Sequence, residues 1–282
     1  MSKKLRVAIT HDVDRTFKSY HYFSKIIRAI ISLNGKMLIT QIKTIFSREN
    51  TYWNFQDILK IEKNNNIRAT YFFLNETLKF KLFSPSNWVL SLGRYNIQSP
   101  KMKRIIKKVA NSGHEIGVHG SFDSYKNIEL LKKEKETLEK ILNGKVTGIR
   151  QHHLNRDDTT WEIQHEVGFK YDSSLGFNDG IGYPDEKIRP FKPLSNEFIV
   201  FPMALMDFTF SNTSNKWEKL EYIIKQTIEN EGVLVLNWHT DTFSLKEFPD
   251  HQKDFLRIIS LLKSRNAEFL TLKECYDNYI SK

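Results

Sequence analysis

Two carboxylates stand two residues apart near the start of the chain. Asp12 and Asp14 follow the short apolar run at 5–9, whose β-branched residues predict a buried strand. Asp is a poor strand residue, so we expect the pair where that strand ends. In a barrel of parallel strands, catalytic residues gather at that end. The alternative is a capping role for one of them, at a helix beginning near Arg15, and this segment alone leaves both readings open.

Polar side chains recur directly after four further predicted strands. They are His119, Ser121 and Asp123 after 115–118, Arg150, His152 and His153 after 146–149, Asp172 after 168–171, and His239 and Asp241 after 233–238. Helix capping explains one such junction easily, but it explains five poorly. Carboxylates and imidazoles grouped in this way can bind a divalent metal and transfer protons beside it.

The elements around these junctions alternate between strand and helix. The predicted strands are 5–9, 68–74, 115–118, 146–149, 168–171, 198–201, 233–238 and 267–271, and the predicted helices lie near 55–66, 101–112, 126–143, 158–167, 217–230 and 250–264. Alternating βα units favour a mostly parallel sheet with outer helices. Eight strands over this length predict an α/β fold, a closed or distorted (β/α) barrel, in a single domain spanning 1–282.

The five junctions resemble, in order, five motifs of the polysaccharide deacetylase family, the NodB-homology fold of carbohydrate esterase family four. "THDVD" resembles the first motif, T-F-D-D, and the resemblance implies that Asp12 is the general base and Asp14 a metal ligand, because Val13 occupies the usual second-Asp position. "GHEIGVHGSFD" is similar to the second motif. It implies His119 as a metal ligand and places Asp123 where the family usually has a further histidine ligand.

The remaining three motifs resemble "RQHHL", "YDSSL" and "LVLNWH". The resemblance implies that Arg150 orients the base, and that His239 is the general acid with Asp172 as its partner. His153 replaces the aromatic residue of the third motif, and a backbone N–H near it is expected to bind the oxyanion. The family fold is a distorted (β/α) barrel. The resemblance also implies an activity for this protein, which is the metal-dependent removal of an N-acetyl group from an amino sugar. The expected metal is zinc.

Several of these residues have alternative explanations. Asp123 is equally suited to capping the helix at 126–143. His152 and His153 could pack in the protein or ligate the metal, and Trp238 could stack on a sugar or pack in the core. Two other functions also stay open: a non-catalytic member that binds a glycan, and a metal-dependent hydrolase of another amide, such as a cyclic imide or a formamide.

The composition of the chain limits the classes of binding partner that we expect. The net charge is +10, but lysines are interspersed with glutamates, as at 132–140, which is typical of a solvated helix face. The sequence carries no helix-turn-helix, zinc-finger or RNA-binding motif, so we expect no nucleic-acid partner. Cys275 is the only cysteine, which excludes a disulfide framework.

The segment from about 17 to 50 is a basic, amphipathic helical insertion. It could pack its apolar side on the main domain or lie on an anionic membrane surface. The first residues lack the apolar region of a secretory signal, which predicts a cytoplasmic protein. If the basic segment lies on a membrane, the contact would be a peripheral one with the inner membrane face. A cytoplasmic deacetylase of surface polysaccharide would act on a nucleotide- or lipid-linked intermediate, whose phosphates suit the positive charge.

Overall fold

The computed structural model describes residues 4–18, 21–33, 35–46, 50–195 and 197–281, without the side chains at 21–24, 28, 36, 85, 86 and 89. One sheet of nine strands forms the centre of this part of the chain. The strands are β1 (Arg6–Val13), β2 (Thr70–Leu74), β3 (Glu115–Gly120), β4 (Gly148–Gln151), β5 (Tyr171–Asp172), β6 (Ile199–Val200), β7 (Met203–Met206), β8 (Val233–Asn237) and β9 (Glu268–Phe269).

The strands pair in the order β6-β5-β4-β3-β2-β1-β8-β7, with β9 beside β1, and every one of these pairs is parallel. The sheet curls into a half-barrel surrounded by helices, which confirms the predicted distorted (β/α) barrel. Because all these strands run the same way, the residues that follow their carboxyl ends meet at one edge. The polar side chains that follow the strands in the sequence therefore lie at this edge.

Helices surround the sheet. They are α1 (His21–Ile31), α2 (Gly35–Phe46), α3 (Phe55–Asn65), α4 (Pro85–Ser91), α5 (Pro100–Asn111), α6 (Ile128–Leu142), α7 (Thr160–Glu166), α8 (Asp207–Asn212), α9 (Lys216–Glu229), α10 (Pro249–Ser264) and α11 (Leu272–Ile280). Local sequence fixes several of their ends. Ser99 caps α5 by accepting from the Met102 N–H, and Thr271 and Glu274 form a capping box on α11.

Alternation along β1 decides which side chains reach the inside of the barrel. Val7, Ile9 and Val13 belong to the larger core cluster, which packs beneath the helices, and Ala8 belongs to a second cluster. Successive side chains of a strand point to opposite faces. Asp12 therefore lies on the Ala8 side, whereas its neighbour His11 lies on the helix side, where it meets Glu62 of α3.

The sequence did not predict β7. Pro202 interrupts the apolar run that ends at Phe201, and the following Met203–Met206 segment lacks the β-branched residues that mark a strand. The missed strand matters because it pairs with β8 and leads directly into α8. It thereby brings the first residue of α8 beside the end of β8.

The insertion after β1 forms a helical hairpin of α1 and α2. Its described inner side is joined to the domain through Glu247, whose carboxylate binds Lys18 and lies 2.9 Å from the Lys25 ammonium. Gln41 also donates to Glu247, at 3.2 Å. The hairpin thus packs on the domain through polar contacts, and not through the apolar side that the packing alternative expected. Among the described residues, no helix has both the length and the apolar character needed to cross a bilayer.

Candidate metal and catalytic site

The carboxyl edge of the sheet brings together five residues predicted from the sequence: Asp12, Asp14, His119, Arg150 and His239. In the β1–β8 register, Thr10 lies beside Asn237, and the Trp238 N–H donates to the Thr10 carbonyl at 2.9 Å. His239 therefore follows β8 at the level where Asp12 lies on β1. The two groups are close enough for the charge of His239 to lower the pKa of Asp12.

Asp14, His119 and His152 form a cluster with the composition of a metal site. One potential ligand atom from each residue lies within 4.8 Å of the other two. His119 Nε2 is 3.1 Å from one carboxylate oxygen of Asp14, and His152 Nε2 is 3.4 Å from the other. Gly120 leaves room for the buried Gln151 side chain beside this cluster, since a Cβ there would lie 2.1 Å from Gln151 Oε1.

The donor chemistry of this cluster fits a divalent cation. His119 Nδ1 lies 2.9 Å from the Arg150 carbonyl oxygen, which can only accept, so Nδ1 carries a proton and Nε2 faces Asp14. A lone pair on Nε2 and a carboxylate oxygen would repel each other unless a proton or a metal ion neutralises them. This arrangement, in which one ring nitrogen is fixed by a carbonyl, is characteristic of metal-ligating histidines.

The electrostatics of the two histidines differ. Burial lowers the pKa of His119, but Asp12 and Asp14 raise it by more. Burial lowers the pKa of His152 to about 3 despite the nearby Asp14 carboxylate. His152 is thus neutral at pH 7, which is the form that binds a metal.

Asp12 is held from both sides by buried donors. The Arg150 Nη1 group donates to Oδ1 at 3.0 Å, and the Asn237 amide donates to Oδ2 at 2.7 Å. Arg150 itself is fully buried and also donates to Thr10 Oγ1 and to both oxygens of Ser173. Burial raises the pKa of Asp12, but Arg150, followed by two nearby histidines, produces a net lowering. Asp12 is therefore an oriented, ionised carboxylate.

His239 is paired with a carboxylate that the sequence did not reveal. Its Nδ1 lies 2.8 Å from Asp207 Oδ1, and its backbone N–H donates to Asp207 Oδ2 at 2.9 Å. Thr242 donates its hydroxyl to the same carboxylate at 2.6 Å. Burial lowers the pKa of His239, but Asp207 outweighs it and raises that pKa well above its usual value. His239 is accordingly a protonated imidazolium at neutral pH.

The predicted partner of His239, Asp172, was wrong. Asp172 lies on β5, which pairs with β4 and β6, whereas β8 pairs with β1 and β7. Its carboxylate instead accepts from the Ser174 N–H at 2.9 Å and from the Gln164 amide at 3.1 Å. Burial raises its pKa even though these donors lower it. Asp172 is a buried structural acid within the β5–α7 region.

The predicted third metal ligand also requires correction. Asp123 precedes a short 3₁₀ helix, Ser124–Lys126, and is not a member of the Asp14–His119–His152 cluster. Neither does its side chain make a capping hydrogen bond there. The third ligand position falls to His152, for which the sequence analysis left ligation open. The signal was the His152–His153 pair directly after a strand.

The two predicted substrate-binding residues have different outcomes. Trp238 is 1% exposed and packs in the core between Phe210 and Phe255, with ring centroids at 6.2 and 5.5 Å, so a sugar cannot reach it. That prediction was wrong. His153 is exposed and has a positive φ of 58°, and its ring centroid lies 4.2 Å from that of His152, with the two rings tilted by 50°. It lies beside the metal cluster, and its role in binding substrate stays a prediction.

Comparison with known proteins shows the family and the fold of the chain. A family model described as WbmS-like polysaccharide deacetylase matches residues 97–246. The chain belongs to this family. The matched range includes β3, β4 and β8, and with them His119, Arg150, His152, Asp207 and His239. A search of curated proteins found no match.

Solved structures share the fold of this polysaccharide deacetylase family member. A probable polysaccharide deacetylase from Pseudomonas aeruginosa PAO1 aligns with a TM-score of 0.63 and 15% identity, covering 100% of this chain and 92% of the other. Puue allantoinase aligns with the same TM-score and identity over 99% and 92%. A protein from Mycobacterium smegmatis, described as a putative polysaccharide deacetylase, gives 0.59 and 16% over 99% and 91%.

Proposed function

We propose that this protein is a metal-dependent hydrolase that removes the N-acetyl group from an amino sugar of a cell-surface polysaccharide or of its biosynthetic intermediate. One observation carries the proposal. A metal-ligand cluster, an ionised carboxylate and a protonated imidazole occupy the same edge of the sheet. Amide hydrolysis needs an activated water, a stabilised oxyanion and a proton for the leaving amine, and these groups can meet those needs.

Asp14, His119 and His152 would hold the divalent metal, which we expect to be zinc. A zinc ion with two nitrogen ligands and one carboxylate, leaving a position open, lowers the pKa of bound water toward ~7 and polarises a carbonyl. The Arg150 carbonyl fixes the ring of His119 for this purpose, at 2.9 Å. The Arg94 guanidinium lies 3.5 Å from His152 Nε2 and donates to the Asp14 carbonyl, so it helps to position this side of the site.

Asp12 would act as the general base. Its carboxylate is kept ionised by Arg150 and lies two residues from the ligand Asp14, so it can accept the proton of the attacking water. The water oxygen bonds to the acetyl carbon, and the oxyanion that results requires nearby donors. A backbone N–H close to His153 is one such donor.

His239 would act as the general acid. When the C–N bond breaks, acetate and a free amine form, and the amine nitrogen takes a proton as it leaves. The imidazolium of His239, stabilised by Asp207, can supply that proton. Asp207 is thus proposed to play the role that the sequence analysis gave to Asp172.

The substrate is proposed to be a phosphate-linked intermediate met in the cytoplasm. The chain carries a net charge of +10, and positive protein charge attracts anionic substrates by long-range steering. A nucleotide-linked sugar and a lipid-linked saccharide share this chemistry. Acetate release measured with a nucleotide-linked sugar and with a lipid-linked saccharide distinguishes these two substrates. An uncharged acetylated oligosaccharide serves as the control for the effect of the phosphates.

Asp12→Asn tests the proposal directly. It should keep stoichiometric zinc but release acetate about 10²–10⁴-fold more slowly, because a general base acts on water rather than on the ion. Asp57→Asn, at an exposed position of α3, is the matched control and should keep full turnover. Chelation should abolish acetate release, and zinc should restore it. Near-normal turnover of Asp12→Asn would contradict the mechanism.

Two other functions remain as outcomes of these assays. The fold is shared with Puue allantoinase at a TM-score of 0.63, so it does not by itself choose between an acetamide and another C–N amide bond. Turnover of a cyclic imide or a formamide without release of acetate from sugars would favour that class. A protein that takes up no zinc, yet binds acetylated glycans, would instead be a non-catalytic binding member.

A further inference from the structure

Two exposed apolar segments follow the neighbouring strands β1 and β2, at the same edge of the sheet as the candidate site. The first is the α1–α2 hairpin, and the second is the loop at 79–83, with the sequence KFKLF. We call the exposed large apolar side chains of these two segments the apolar rim. Single exposed apolar residues are common on soluble proteins, but several large ones repeated along a helix face or a short loop mark an interaction surface.

The first part of the rim lies on α1. Ile27, Ile30 and Ile31, spaced three and four residues apart, share one face of the helix, and all three are exposed. Ile31 is 77% exposed, and Leu33, just after the helix, is 92% exposed. Ala29 is fully buried on the opposite side. Three of the four isoleucines of the helix therefore face outward, Ile26 is half-buried, and the small Ala29 faces the domain.

Helix α2 repeats this arrangement. Ile39, Ile42 and Phe46 follow each other at spacings of three and four residues and are exposed, and Phe46 is 80% exposed. Gln41 and Thr44 are buried, and they bind Glu247 and Lys18, respectively. An ordinary surface helix buries its apolar face and exposes its polar one. The reversed orientation of both helices indicates an apolar environment outside the domain.

The loop at 79–83 forms the second part of the rim. Phe80, Leu82 and Phe83 are exposed, the last of them by 95%, and they alternate with the exposed Lys79 and Lys81. The loop has a defined geometry, because the Trp88 indole N–H donates to the carbonyls of Lys81 and Leu82 at 2.9 and 3.0 Å. Basic residues interspersed with large apolar ones are the pattern of a segment that lies at a lipid interface.

Charge identifies the occupant of the rim. The sequence from 15 to 48 contains seven Lys or Arg residues and no Asp or Glu. Lys18 and Lys25 are used internally by Glu247, whereas Lys43 of α2 is exposed, as are the two lysines of the loop. A second copy of this chain would bring two positive surfaces together, which is unfavourable. An anionic lipid surface complements both the apolar and the basic residues.

We propose that the apolar rim docks this protein on an anionic lipid bilayer as a peripheral membrane protein. The apolar side chains enter the boundary between head groups and acyl chains, and the lysines remain at the head groups. Docking requires no catalysis. If the proposed deacetylation is also correct, docking at this edge presents the candidate site to lipid-linked saccharides, whose reducing-end phosphate lies at the same interface.

Vesicle sedimentation of the full chain tests docking. The wild-type protein should sediment at low salt with vesicles of phosphatidylcholine and phosphatidylglycerol, and much less with vesicles of phosphatidylcholine alone. Ile31→Ser, Leu33→Ser and Phe83→Ser combined should weaken partitioning by at least about tenfold, because each side chain loses its transfer into the apolar region. Lys43→Gln and Lys81→Gln should each weaken partitioning about fivefold. Raising the salt concentration from ~0.1 M to ~1 M should also weaken partitioning, because salt screens the attraction between lysines and anionic lipids.

The matched control is Tyr222→Ser with Leu256→Ser, which removes exposed apolar side chains from α9 and α10. It should sediment like the wild type. Docking is contradicted if the wild type ignores anionic vesicles at low salt, or if rim and control variants sediment equally. It is also contradicted if the wild type is a dimer without lipid and the rim variant a monomer, since a second copy would then occupy the rim. Release of acetate from a soluble acetylated sugar should be equal in all variants, so failure of docking and failure of deacetylation are separable.

Discussion

The two halves of the candidate site contain the same residue types but differ in what the second nitrogen of the histidine contacts. In the metal half, His119 Nδ1 faces a backbone carbonyl, and Nε2 is directed at Asp14. In the acid half, His239 Nδ1 faces the Asp207 carboxylate. A neutral carbonyl fixes the ring with its lone pair available for an ion, whereas an anion stabilises the protonated ring. In this site, the partner of Nδ1 together with the group opposite Nε2 distinguishes the proposed ligand His119 from the proposed acid His239.

A third histidine at this edge shows the remaining possibility. His11 has both ring nitrogens engaged: Nδ1 lies 2.7 Å from the Trp238 carbonyl, and Nε2 lies 3.0 Å from Glu62. Glu62 also accepts a hydrogen bond from Tyr71. With no nitrogen left for an ion or a substrate, His11 has a structural role. It links β1 beside Asp12 to the residue that precedes His239.

The largest effect is expected in the metal half. His119→Ala and Asp14→Ala should each remove metal and activity together, since the cluster has only three members among the described residues and each contributes one ligand. Metal analysis of the purified variants, alongside acetate release, checks this. Stoichiometric zinc in either variant would remove that residue from the ligand set.

A smaller but still large effect is expected in the acid half. His239→Ala should retain zinc and lose activity by about 10²–10⁴-fold. Asp207→Asn should lower the pKa of His239, because the anion that favours its protonated ring is gone. The acid must be protonated to act, so the basic limb of the pH–rate profile should move to lower pH.

Asp172→Asn is the control for the acid half. It alters a buried carboxylate of the same chemistry but on β5, away from His239. The basic limb of its pH–rate profile should stay where the wild type has it. If the basic limb shifted in Asp172→Asn but not in Asp207→Asn, Asp172 and not Asp207 would be the partner of His239.

The smallest effect on catalysis is expected for the network around His11, which should contribute to stability and not to turnover. Glu62→Gln should retain zinc but lower the free energy of unfolding by about 1–3 kcal/mol, because a buried hydrogen-bond network loses an acceptor. Glu136→Gln, in an exposed pair with Lys140, should change it by less than about 1 kcal/mol. Denaturant titration of both variants checks the difference. Equal stabilities would show that the His11–Glu62–Tyr71 network is not structural.

The sequence was sufficient to predict the elements that carry strong periodicity and the residues that directly follow them. The apolar runs of β1, β3 and β8 located Asp12, His119 and His239, because parallel strands expose their carboxyl ends at one edge. It was insufficient where the outcome depended on which strands are neighbours. Asp207 was missed because β7 carries no strand signal, and Asp172 was chosen because YDSSL resembles the fourth family motif.

The other differences have equally local causes. Asp123 and His152 both follow strands of the sheet, and only the close approach of β3 to β4 decides that the histidine joins His119 and Asp14. Trp238 occupies a position after β8 whose direction alternates with that of His239, so it points into the core. In the hairpin, spacing alone revealed an amphipathic helix, but it did not reveal that the apolar face is directed outward.

The central claim is that Asp14, His119 and His152 hold the metal on which hydrolysis depends. The most direct test is the zinc affinity of His152→Ala measured beside that of Asp123→Ala by equilibrium titration. The structure predicts that Asp123→Ala binds stoichiometric zinc like the wild type, while His152→Ala loses more than about 10²-fold in affinity. Unchanged affinity in His152→Ala together with lost zinc in Asp123→Ala would contradict the account.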